Sequence, residues 1–116
     1  MFTLHHDGDK IGTTRLERGD PAVHSVSGVF DNVGGAKALA GWIKSIGGAE
    51  DEGVVFIVLN EDFALLDSLG NKLQFAEGNL IAVPADDEAY LDLSGVSEAD
   101  YNTHFAGHRS ALDSEE

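Results

Sequence analysis

The sequence predicts an α+β fold: a mainly antiparallel, curved or partly barrel-like sheet, one long amphipathic helix packed on it, and a C-terminal helix. Short strand-like runs are separated by Asp7-Gly8, Gly70-Asn71 and Glu77-Gly78-Asn79, which is the spacing of hairpins and not of crossover units. One internal segment carries apolar residues at helical period, and one run of six, Val54 to Leu59, is apolar throughout. With 116 residues, no internal repeat and no Pro/Ser-rich linker, residues 1–116 read as a single α+β domain. A chain of that length buries roughly two-thirds of its unfolded surface, enough for a core without disulfides or metal.

Phe2 to His6 and Ile11 to Leu16 flank the Asp-Gly turn as the arms of a first hairpin. Glu17 to Pro21 reads as a turn, and Ala22 to Phe30 as a third strand whose Ser25, Ser27 and Gly28 allow close packing. Asp31 or Asn32 can cap the helix that follows. Leu39, Trp42, Ile43 and Ile46 then recur at helical period, which makes Trp42 a core anchor, and Gly47-Gly48 ends the helix. Residues 49–53 read as an acidic connector. Val54 to Leu59, apolar at every position, predicts a central strand covered on both faces. Phe63 to Asp67 and Lys72 to Ala76 form a second hairpin. Leu80 to Val83, stopped by Pro84, and Ala89 to Leu93 complete the strands around a solvated Asp86-Asp87-Glu88 turn. Ser97, with Asp100 three residues on, opens a helix carrying Tyr101, Phe105 and Leu112.

Charge is the most one-sided property of the chain. Residues 1–49 hold five acids and five bases, whereas residues 50–116 hold sixteen acids against Lys72 and Arg109. The net charge of −14 therefore belongs to the second half. Such a field repels nucleic acid and anionic membrane and attracts basic surfaces. The seven bases are scattered, with Lys10, Arg15 and Arg18 the one close group, so no nucleic acid and no membrane partner is expected. A surplus of carboxylates over lysines also suits salt adaptation, where screening offsets the repulsion. There is no cysteine and no basic-then-apolar N-terminus, so the expectation is a cytoplasmic chain.

The residues that carry chemistry are few. Asp100, His104 and His108 are spaced four apart and fall on one helical stripe, a weak metal-ligand set. The Glu that follows the first histidine in metalloprotease helices is Phe105 here. His5, His6, Asp7 and Asp9 form a polar group at the first hairpin, but adjacent strand residues point to opposite faces. Gly95-Val96-Ser97-Glu98-Ala99 only loosely fits a nucleophile elbow, and capping accounts for Ser97. Gly34-Gly35 opens backbone N–H groups at a helix start but lacks any phosphate-loop pattern. The carboxylate groups at 50–52, 61–62 and 86–88 miss the calcium-loop pattern. The run Ile11 to Glu17, with Gly19-Asp20-Pro21 and Gly28-Val29-Phe30, resembles stretches of small bacterial proteins. That resemblance implies no activity, cofactor or functional residue.

The reading that follows is a non-catalytic binding or assembly module whose acidic surface meets a basic protein partner or a second copy, with no cofactor. The alternatives are a small-ligand or metal-dependent enzyme built on His104 and His108, and acidity that is salt adaptation with the function elsewhere.

Overall fold

Asp7-Gly8 makes the turn that such a pair is suited to make. In the computed structural model, which describes residues 1–20, 24–32, 34–97 and 99–100, Phe2–His6 (β1) and Asp9–Thr14 (β2) pair antiparallel around it. Asp7 and Gly8 sit at φ 50° and 86°, the left-handed region that a two-residue hairpin needs.

The chain then departs from the sequence reading. Arg18–Asp20, expected as a turn, is a short strand (β3), and β2 and β3 lie along the same neighbour, Ser25–Asn32 (β4). Between them the chain bulges: Leu16 sits at φ 48° with its side chain buried, and its N–H donates to Thr14 Oγ1 at 3.2 Å. The ladder gap this leaves is bridged by Glu17, whose carboxylate accepts the Val29 N–H at 3.1 Å. Bonds from its own N–H and from that of Val29, in that order, hold the Glu17 carboxyl below its ordinary range, with Arg18 and Arg15 adding to the effect. Gly28 lies against the bulge. A Cβ there would come within 2.8 Å of Leu16 N and of Thr14 Oγ1.

Gly35–Ser45 forms the helix (α1), burying Ala36, Leu39, Ala40 and Ile43, with Trp42 and Ile46 half-buried against the same core. Gly47, at φ 101°, follows its end. The cap differs from expectation. Asn32 Oδ1 accepts the Gly34 N–H at 2.9 Å, but the helix's own first turn is served from across the fold: Asp87 Oδ1 accepts the Ala36 N–H at 3.3 Å. A carboxylate there also meets the positive end of the helix dipole.

The acidic connector is an edge strand, Ala49–Asp51 (β5), joined to Val54–Val58 (β6) through Glu52 and Gly53 at φ 51° and 82°. Phe63–Leu66 (β7) pairs with β1. Its expected hairpin partner over 72–76 reduces to a bridge between Leu66 and Lys72 and a 2.8 Å bond from Leu73 N–H to Leu65 O. Leu73 turns inward to the core instead of continuing a ladder. Glu77–Val83 (β8), a 3₁₀ turn at Pro84–Asp86 and Glu88–Ser94 (β9) follow. Ser97 Oγ accepts the Asp100 N–H at 3.3 Å, the capping contact its spacing implied. Beyond Asp100 the expected C-terminal helix, with Tyr101, Phe105 and Leu112, lies outside the described residues.

The strands form one sheet in the order β5-β6-β8-β9-β4-β2-β1-β7, with β3 beside β4. It is open, since β5 and β7 are its two ends and do not pair. The α1 helix packs over β8, β6 and β4, and His6 on β1 stacks edge-on to Trp42, ring centroids 5.2 Å apart. The sheet therefore curls round one face of the helix. β6 is next to an edge, not central, and among the described residues only one of its faces is covered: Val55 is fully buried while Val58 is 60% exposed. No helix of the described residues is long and apolar enough to cross a membrane.

Candidate functional site

Alternation along four strands sorts the sheet into two faces. Val55, Leu80, Ala82, Ala89, Leu91, Leu93 and Val26 are buried toward the helix. Their neighbours point outward, and the register aligns them in rows. Val54 pairs with Asp51 across β5 and β6. Phe56, Ile81, Tyr90 and Val29 run directly across β6, β8, β9 and β4. Val58, Asn79, Asp92, Ser27 and Arg18 form the next row, and Glu77 with Ser94 the one beyond. Val29 is 44% exposed, so this outer face is in part apolar and open.

Along the polar rows lies a depression of about 310 Å³ lined by Ser25, Ser27, Glu77, Asn79, Asp92 and Ser94, among others. Three hydroxyls and two exposed carboxylates give it acceptors for a cationic head group. At the other margin the Tyr90 hydroxyl donates to Glu88, and that bond pushes the phenol above its ordinary range. The two hairpin turns at residues 52–53 and 84–87 close the same end of the sheet. They bring the exposed acids Asp51, Glu52, Asp86 and Glu88 to that end.

The metal-ligand set expected from sequence is only partly placed. Asp100 Oδ2 accepts the Gln74 N–H at 2.7 Å, so this carboxylate ties the segment after β9 to the chain before β8. His104 and His108 lie outside the described residues. The Gly34-Gly35 anion site is already answered by the chain's own Asn32 and Asp87 oxygens. Among the other acids, Glu50 makes an exposed 3.2 Å ion pair with Lys44. Asp67 Oδ1 accepts the N–H groups of Leu69 and Asn71 at 2.9 and 2.8 Å and so organises its own turn.

The polar group at the first hairpin gains a member from elsewhere: Asp62 joins His6 and Asp7, while His5 and Asp9 are not part of the set. The ligand atoms of His6, Asp7 and Asp62 lie within 4.8 Å of one another. β1–β7 pairing brings them together, and the Asp7 N–H donates to Asp62 O at 2.9 Å. The His6 ring is held between Trp42 and Phe63, at centroid distances of 5.2 and 4.6 Å. One imidazole and two carboxylates are donors that a divalent transition metal accepts. No local sequence signal links His6 to Asp62 in the loop before β7; only the strand pairing does. Compared with protein-family models, curated proteins and solved structures, the chain matches none.

Proposed function

We propose that this chain is a non-catalytic binding module that holds a basic protein partner on an acidic surface. The observation that supports it is the gathering of Asp51, Glu52, Asp86 and Glu88 at one end of an open sheet, beside an exposed face. Like charges brought together on hairpin turns repel one another, and a cationic partner relieves that repulsion on binding. Affinity capture from source cells, followed by titration of the purified pair against salt, tests the reading. A basic partner whose association slows and weakens steeply with ionic strength is the expected result. Capture of neutral or acidic partners, insensitive to salt, would count against it.

A second reading, metal binding, is supported by the His6, Asp7 and Asp62 donors. Trp42, the one tryptophan of the chain, lies beside His6, so its emission reports directly on occupancy. Cobalt or nickel titration should quench it in the wild type and not in His6→Ala. Equal quenching in both would remove the site.

A further inference from the structure

We infer that the outer face of the sheet docks a short cationic segment of a protein partner: its apolar side chains rest on Val54, Phe56 and Ile81, and its Arg or Lys enters the depression beside Glu77 and Asp92. This rests on the binding-module reading and assigns it a site. The apolar residues and the acid-lined depression occupy adjoining rows of one face. Phe56 and Ile81 are one cross-strand pair, and the Asn79–Asp92 pair stands in the row beside them. Two residues along a strand separate successive side chains on a face by about 6.8 Å. A segment can therefore set an apolar residue in one row while a neighbouring basic residue reaches the next.

Charge selects among the possible occupants. A second copy would bring another −14 and set acidic margin against acidic margin. The chain's own residues 101–116 contain Asp113, Glu115 and Glu116 against Arg109, so they too carry excess negative charge toward Glu77 and Asp92. A cationic segment meets complementary charge on both sides of the apolar rows. Arg18, in register with Ser27, opposes it at one corner only, one guanidinium against two carboxylates. Size points the same way. Between strand axes the apolar rows span about 14 Å across the strands and about 7 Å along them, far less than the ~800 Å² per partner of a standard interface. That area fits a segment and not a whole domain.

The test uses the full chain and two synthetic peptides of equal charge, one alternating Leu and Arg, the other Ser and Arg. Affinities come from calorimetry at low salt and contact sites from amide shift mapping. The Leu/Arg peptide should bind at least about tenfold tighter than Ser/Arg, with shifts in β6, β8 and β9, and Phe56→Ser and Asp92→Asn should each remove most of that advantage. Val58→Lys, at a 60% exposed position beside Phe56 on the face, serves if Phe56→Ser loses its native Trp42 emission. Equal binding of both peptides, indifferent to these variants, overturns the site while leaving the acidic-surface reading intact. Binding of neither peptide overturns both. Self-association in sedimentation that Phe56→Ser abolishes would make the second copy the occupant. Shifts in residues 101–116 of the peptide-free Phe56→Ser chain would make it the chain's own C-terminal segment. Either result overturns the proposal.

Discussion

Glu17 and Asp87 show how much single carboxylates do here beyond carrying charge. Because N–H donors favour the ionised Glu17, its folded pKa lies below its unfolded one. The stability it contributes is therefore present above the unfolded value and is lost as pH falls through the folded value. A carboxyl-detected NMR titration should place its midpoint below the ordinary 4.5. The thermal midpoints of wild type and Glu17→Gln should converge as the solution is acidified. A Glu17 midpoint at or above the ordinary value would refute this. Asp87 stands at φ 52° and caps a helix 51 residues away in sequence. Asp87→Ala removes the cap and leaves at φ 52° a residue without the short polar side chain that lets Asp and Asn adopt the left-handed conformation, so it should cost about 1–2 kcal/mol in urea unfolding. Asp87→Asn keeps an acceptor oxygen and should cost less. Capping by Ser97 was readable from spacing alone, because its partner is three residues on. Asp87 was not, because its partner arrives through the tertiary fold.

Elements were legible where turn chemistry or periodicity is local. The Asp7-Gly8 hairpin and the Leu39–Ile46 helical stripe follow from residues within a few positions of one another, and both form as expected. The errors have one cause: strand identity and coverage depend on neighbours far along the chain. Arg18–Asp20 is a strand because β4 extends far enough to pair with it. Val54–Val58 looks central by composition, yet its register leaves Phe56 and Val58 on a face that no described element covers. The same limit hid the candidate site, since the rows joining Phe56 to Ile81 and Asn79 to Asp92 exist only once β6, β8 and β9 are in register. The bulge between β2 and β3 gives a test at this scale. Gly28→Ala forces its new methyl group onto Leu16, Thr14 and Glu17, and overpacking of that kind should cost about 1–3 kcal/mol. Gly8→Ala meets nothing within 4 Å and should cost only the backbone strain of a left-handed residue, about 1–2 kcal/mol. A Gly28→Ala protein as stable as wild type would mean the bulge yields freely.

For the molecule as a whole, Trp42 and net charge act in opposite directions. Trp42 ties α1 to the far end of the sheet through His6 and Phe63, its ring centroid 6.2 Å from that of Phe63. Half-buried as it is, Trp42→Ala should cost about 3 kcal/mol, the lower end for large aromatic truncations. A loss below about 1 kcal/mol would show that the helix and the β1–β7 edge are held by other contacts. The charge of −14 strains the same compact state. Raising KCl from about 0.01 to about 1 M shortens the screening length from about 30 to about 3 Å, so the thermal midpoint should climb over that range. A flat response would show that the acids are too well separated to repel, and would weaken both the salt-adaptation and the partner readings.

The pairing of β4 with β9, Val26 against Leu93, and of β1 with β7, Thr3 against Leu66, carries a kinetic consequence. Hairpins such as β1–β2 form in about 1–10 μs. The sheet cannot join its halves until segments more than sixty residues apart meet, a topology whose folding typically takes milliseconds to seconds. In that interval β4 and β1 expose unpaired edges to any neighbouring chain at the same stage. Every such chain carries the same large negative charge, which holds half-made sheets apart until their own strands close the edges. Acidity of this kind protects the newly made chain as it folds, whatever it later serves in the finished one.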